Sequence, residues 1–321
     1  MRRLVAVRAL HAIVVLFLVT TIAFFLLHFA PGDPFSFENS SIPQDVRNRL
    51  RAAFGYDRPV PEQYARYLRN IAAGNLGYSH LRREPVLDAI AATAPRTVLL
   101  MGLALVISFA LGIRLGIYEA LHGRRRRARA ANTATLLIYS IPDFWLALML
   151  LLAFAYWIPI LPAGGMTDAV LHDFMSPGRQ LWDRARHLAL PLTTLVLIVA
   201  AFVARFQRAA LLDVLPADFV RSARAKGVDE ATVIGRHALR NALLPTITLA
   251  GLTFPALLGG AVFVEKVFAW PGMGSLIINA IQVRDYALVM AILQIGALMV
   301  VLGNLLADVA YAWADPRVRA R

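Results

Sequence analysis

Long apolar runs alternate with polar or basic segments along this chain. The runs cover residues 9–29, 96–118, 133–157, 188–206, 246–264 and 288–313. About 20 apolar residues cross the hydrocarbon core of a bilayer, so the pattern predicts an all-α integral membrane chain of about six transmembrane helices. Between the first and second runs, residues 31–95 are polar and carry two amphipathic pieces, 46–54 and 62–73, the second broken at Gly74-Asn75-Leu76-Gly77-Tyr78. They form a small external region, too short for an independent domain with a good core.

Breakers and polar residues refine these elements. Pro31-Gly32-Asp33-Pro34 ends the first helix, because proline lacks the amide donor and pushes its predecessor out of the α region. Its apolar core is longer than the roughly 7–15 residues of a signal peptide, so it is expected to be retained. Pro142 is expected to kink the third helix, and Pro191 lies near the start of the fourth. Gly251, Pro255, Gly259 and Gly260 allow close helix approach, or a break, in the fifth. Asp143 and Gln294 are polar positions within apolar runs; they either border a translocation path or make hydrogen bonds between helices. Arg114 sits near the inner end of the second run, where its side chain reaches toward the interface.

Composition agrees with this class. Hydrophobic residues make up 59% of the chain and charged residues 17%, below the roughly 25% of soluble domains, and the mean hydropathy is +0.60. The formal net charge of +13 does not point to nucleic acid, because basic residues anchor the inner loops of membrane proteins. With an even number of spans both termini share a side. Three arginines at the N-terminus, the loop Arg124-Arg125-Arg126-Arg127-Ala128-Arg129, the stretch from Arg205 to Arg240 and the basic tail place that side in the cytoplasm. A multi-pass protein of the plasma membrane follows, with the lipid bilayer as its first partner.

Several chemistries are excluded or unsupported. The chain has no cysteine, so it holds no disulfide, thiolate zinc site or cysteine nucleophile. Its only lysines, Lys226 and Lys266, do not stand in the G-x-x-x-x-G-K-[ST] context of a phosphate-binding loop. No H-E-x-x-H metal motif occurs among its seven histidines. Gly77-Tyr78-Ser79-His80-Leu81 is one glycine short of a nucleophile elbow and does not follow a predicted strand. The expectation is a membrane chain with no catalytic residue, metal or cofactor of its own, which leaves a transport subunit to be weighed against a passive channel or a membrane enzyme.

The stretch 218–245, DFVRSARAKGVDEATVIGRHALRNALLP, lies between the fourth and fifth runs. Asp218 is placed to cap a helix of about two turns that Gly227 ends. Asp229 is placed to cap a second helix, running to about Ala242 and closed by Leu244-Pro245. Phe219 and Ala223 share one face; Arg221 and Arg224 share another. Spacing alone leaves two readings, a docking knob or a connector on the lipid surface.

FVRSARAKGV followed by GRHALRNALLP resembles the cytoplasmic "EAA" loop of permease subunits from binding-protein-dependent ABC importers of the dipeptide/oligopeptide/nickel group, with Arg221 and Ala242 departing from the general pattern. PGDP (31–34), GYDRPVPEQYARYL (55–68), GNLGYS (74–79), SIPDFW (140–145), GGAVFVEKVFAWPGMG (259–274), RDY (284–286) and ADPRVR (314–319) also resemble that group, in order. The resemblance implies an ABC type-1 permease fold. It divides the chain into an N-terminal span (1–30), an external region (31–95), the type-1 transmembrane domain (96–315, with its coupling loop at 207–245) and a cytoplasmic tail (316–321). It implies an importer permease for di- or oligopeptides, with nickel or glutathione as alternatives on the same scaffold. Phe219, Arg221, Ala223, Arg224, Lys226 and Gly227 would then meet an ATPase subunit, with Leu244 and Pro245 closing the loop. Glu265, Trp270, Pro271 and Gly272 would form an external gate region. The implied partners are a second homologous permease, two ATP-binding subunits that hold ATP and Mg, and an extracytoplasmic solute-binding protein.

Overall fold

Proline punctuates the apolar runs, yet three of the prolines lie inside helices that continue past them. The computed structural model of the protein describes residues 2–29, 44–253 and 261–314. Helix α1 (Arg2–Phe29) is followed by the amphipathic helices α2 (Gln44–Phe54) and α3 (Val60–Ala72) and by a two-residue hairpin, β1 (Tyr78–Ser79) against β2 (Glu84–Pro85), with Ser79 opposite Glu84. Helix α4 (Val86–Leu121) has 36 residues and contains Pro95; α7 (Pro177–Val214) has 38 and contains Pro191. At 1.5 Å per residue each is over ~50 Å long, well beyond the ~30 Å hydrocarbon core. The runs at 96–118 and 188–206 are therefore the apolar middles of longer rods, and Arg184 and Arg186 ride on the N-terminal extension of α7 rather than in a loop.

The third run is broken rather than kinked. Helix α5 (Arg126–Ser140) meets α6 (Asp143–Leu151), which continues as a π-helical segment (Leu152–Trp157), at a bend of 104°. Pro142 explains it: Ile141 and Pro142 both take extended ψ values, 131° and 139°, so two consecutive residues leave the helical ladder.

After α7 come α8 (Asp218–Ala225), the short α9 (Glu230–Thr232), a π-helical segment (Val233–Ala238) and α10 (Leu239–Thr253). Helices α11 (Val262–Val267) and α12 (Met273–Gln282) precede the last span, α13 (Tyr286–Ala314). By length and composition four helices among the described residues can cross a membrane: α1, α4, α7 and α13. The count is five if the bent α5–α6 pair is one span. The fifth predicted span (246–264) is only partly described. Its Gly251 lies on α10, whereas Pro255, Gly259 and Gly260, like the PGDP turn at 31–34 and the tail from Asp315, fall outside the described residues.

Helices α4 and α7 pack against each other along much of their length. Gly116 permits this approach, since a Cβ there would lie 2.4 Å from the Ala204 carbonyl oxygen. Toward the N-terminal end of α4 a core of Val86, Ala89 and Ile90 joins α12 (Met273, Leu276) and α13 (Leu288, Ile292). At mid-helix, Leu100 and Ala104 of α4 join Leu190 and Leu195 of α7 with Phe268 and Trp270. A third core, around Leu211, lies at the end where α7 turns into α8.

Candidate functional site

The knob at 218–245 has its own small core. Val220 is fully buried and Ala223 nearly so; they pack with Leu211 of α7 and with Val233, Ala238 and Ala242. A two-turn helix is unstable alone in water, and this buried face holds it. Ala223 therefore faces inward, on the side opposite to an external partner, and does not share the exposed face with Phe219. Phe219 is 46% exposed, and Arg221, Arg224 and Lys226 are exposed. The residue before α8, Ala217, occupies the cap position, and Asp218 stands at the first helical position, where it pairs with Arg221. A carboxylate in the first turn still complements the helix dipole.

The end of α8 is a Schellman turn. The Gly227 amide donates to the Arg224 carbonyl at 3.0 Å and the Val228 amide to the Ala223 carbonyl at 3.3 Å, with Gly227 at a φ of +75°. A Cβ at Gly227 would meet nothing within 4 Å, so only the left-handed backbone demands glycine here. Across this turn the Arg224 guanidinium donates twice to Glu230, at 3.0 and 2.7 Å, which holds the Glu230 carboxyl below its usual range. Asp229 caps α9 by accepting from the Thr232 amide at 2.9 Å, and the Thr232 side chain and then this amide lower its carboxyl.

Pro245 does not close the second helix. It lies within α10, exposed, with Leu244 half-buried beside it. Its ring removes one donor from the ladder. Next to the gap the buried Gln207 of α7 donates to the Ala242 carbonyl at 3.3 Å and accepts from the Thr246 hydroxyl at 2.6 Å. One fully buried amide thus ties the proline-containing helix to α7.

Glu265, Trp270, Pro271 and Gly272 converge on α4. The buried Glu265 carboxylate accepts from the Thr97 hydroxyl (3.1 Å) and the Ser275 amide (2.9 Å), while Thr97 Oγ1 also accepts from the Met273 amide (2.7 Å). Trp270 donates its indole N–H to the Arg96 carbonyl at 3.2 Å. A Cβ at Gly272 would fall 2.5 Å from Glu265 and from Thr97; Pro271 is half-buried beside them.

Asp143 and Gln294 are not brought together. Asp143 is half-buried and accepts from the Phe144 amide at 2.9 Å in the first turn of α6. The Gln294 amide donates to Thr20 of α1 (3.1 Å) and Tyr67 of α3 (2.9 Å), a hydrogen bond between helices. Sequence reasoning did not single out Gln207, Thr97, or Glu119, whose buried carboxylate accepts from Thr135 at 2.8 Å. Polar residues at the margins of the apolar runs were the only signal.

Residues 112–320 match the family described as binding-protein-dependent transport system inner membrane component, and residues 1–101 match its N-terminal counterpart. A protein of Brucella ovis provisionally named a peptide permease is 41% identical over 317 residues, 97% of each chain. The oligopeptide transport system permease protein AppB of Bacillus subtilis and the glutathione transport system permease protein GsiC of Escherichia coli are each 36% identical over 313 residues, again 97% of both chains. Among solved structures, a chain of the methionine ABC transporter MetNI in an inward-facing conformation aligns with a TM-score of 0.53 at 17% identity, covering 71% of this chain and 97% of that one.

Proposed function

The chain belongs to the family of binding-protein-dependent transport system inner membrane components, and on that premise we propose that it forms half of a peptide-conducting pore and is driven through the knob at 218–245 by separate ATPase subunits. The observation that carries this reading is the construction of the knob. A short helix with an exposed aromatic and three exposed cations is fixed to α7 by a buried core, and a left-handed glycine turn joins it to the segment that continues into α10, which the Gln207 bridge ties to α7. A partner that pushes on Phe219, Arg221 and Lys226 moves α7 and α10 with it. Coupling needs a contact whose free energy differs between two states, and a rigid lever transmits such a difference. Arg224, held by Glu230, and Gly227 and Ala223, held in the turn and the core, keep the lever in shape. Leu244 and Pro245 serve the same end within α10.

The rest of the assembly follows the same reading. The knob, both termini and the Arg124–Arg129 loop face the cytoplasm; residues 31–95 and the Glu265–Gly272 clamp face outward, where a solute-binding protein delivers substrate. The transmembrane domain is 96–315. A second, homologous permease completes the pore, and two ATP-binding subunits hold ATP and Mg, for which this chain has no phosphate loop. Peptides are the substrate class favoured by the names of the relatives, with glutathione as a small member of that class. The test is ATP-dependent uptake by proteoliposomes holding this chain, a second permease and the ATPases, with di- and oligopeptides, glutathione and nickel offered separately. Peptide uptake abolished by Phe219→Asp supports the reading; uptake without ATP, or nickel uptake alone, refutes it.

A further inference from the structure

A groove of about 440 Å³ opens between α4, α5 and α7, inside the range of ~300–1,000 Å³ typical of ligand cavities. Leu111, Leu115, Ile138 and Leu197 make its walls aliphatic, with Arg114 and Tyr118 among its lining. Large apolar side chains beside it, Leu111 and Leu137, are 47% and 61% exposed. The groove is therefore continuous with an apolar outer surface.

Arg114 is the feature that calls for a ligand. It has no ion pair and no hydrogen bond among the described residues. The next acid along its helix, Glu119, is 1% exposed and engaged by Thr135. The nearby Arg205 is stacked over the Tyr139 ring at 4.8 Å. Arg114 precedes the end of α4 at Leu121 by seven residues, roughly 10 Å of helix, and lies near the end of the apolar run 96–118. A charged side chain there requires a counter-charge or water. Basic pockets between transmembrane helices are suited to anionic lipid headgroups, and the loop Arg124–Arg129 beyond α4 extends the positive field.

We infer that this groove holds one anionic phospholipid, its phosphodiester paired with Arg114 and an acyl chain laid along Leu111, Leu115, Ile138 and Leu197. The leaflet is the one on the side of the Arg124–Arg129 loop; naming it cytoplasmic rests on the orientation proposed above, whereas the binding does not. The site serves as a lipid bearing at the place where α7, the helix that carries the knob, leaves the membrane.

The test is native mass spectrometry of the full chain in detergent, titrated with phosphatidylglycerol or with phosphatidylcholine of the same acyl length. One phosphatidylglycerol is expected to be retained in preference to phosphatidylcholine. Arg114→Gln is expected to weaken phosphatidylglycerol about fivefold, as for loss of one lipid-facing cation, and to leave phosphatidylcholine unchanged. Leu197→Trp, which fills the groove, weakens both, and Arg126→Gln in the loop changes neither by more than about twofold. Monodisperse elution of each variant checks folding. Equal binding by Arg114→Gln and the parent, or equal losses for Arg114→Gln and Arg126→Gln, overturns the inference. So does efficient crosslinking of a cysteine at Leu111, in this cysteine-free chain, to a partner permease in the assembled transporter. None of these readouts depends on peptide uptake, so this inference and the proposed function fail separately.

Discussion

The hydroxyl of Ser79 donates to the carboxylate of Asp285 at 2.6 Å, across 206 residues of chain, and both residues are fully buried. The same carboxylate accepts from the Leu81 amide at 3.0 Å and from the Leu288 amide at 3.1 Å. Asp285 is thus at once the N-cap of the last span and the anchor of the β1–β2 hairpin. It also gives Ser79 a structural occupation: its hydroxyl donates to Asp285 and accepts from the Arg82 amide at 3.0 Å, which closes the hairpin onto the last span.

Replacing Asp285 by alanine removes a helix cap and leaves two amides and a hydroxyl without their acceptor. A loss of about 2–4 kcal/mol is expected, read as a lowered thermal midpoint in detergent. Ser79→Ala is expected to lose less, because Asp285 keeps both amides. Equal losses would show that the hydroxyl, rather than the cap, dominates.

Gly227→Val is expected to uncouple ATP hydrolysis from uptake in the assembled transporter while leaving membrane insertion intact. The left-handed backbone costs a side-chain-bearing residue roughly 1–2 kcal/mol, and a β-branched residue suffers most. Gly227→Asn, which tolerates that conformation, is expected to retain most uptake. Normal uptake by the valine variant would contradict the lever.

Gln207→Leu should separate α10 from α7 at the proline. It strands the Thr246 hydroxyl and the Ala242 carbonyl in a dry interface, a loss of about 1–3 kcal/mol. Pairing it with Thr246→Val is expected to recover part of that loss, because both polar partners of one bond are then gone. Additive losses in thermal unfolding would show that the bridge contributes nothing.

Gly272→Ala drives a methyl group to 2.5 Å from Glu265 and Thr97. Overpacking of this kind costs roughly 1–3 kcal/mol. Because the clash is with the carboxylate, Glu265→Ala in the same chain should make the two changes less than additive. A double variant whose loss equals the sum of the single losses would show that the two residues do not touch in solution.

The class of molecule was legible from hydrophobic patterning, because a bilayer imposes a minimum length on every apolar helix. The left-handed turn at Gly227 and the cap at Asp229 were legible too, since both depend on residues within a few positions of each other. Local rules failed where a partner from far along the chain decided the outcome. Pro245 reads as a stop, but Gln207 and the packing against α7 carry the helix through it. Ala223 reads as a surface neighbour of Phe219, yet Leu211 and Val233 bury it. Gln294 reads either as a path residue or as a hydrogen bond between helices, and its partners Thr20 and Tyr67 lie far away in sequence. That the chain is helical and apolar enough to cross a membrane is a short-range property that this sequence settled by itself. Which polar side chain meets which, and whether a proline ends a helix or is bridged, depended on contacts between residues tens to hundreds of positions apart, and only the tertiary structure brought those together.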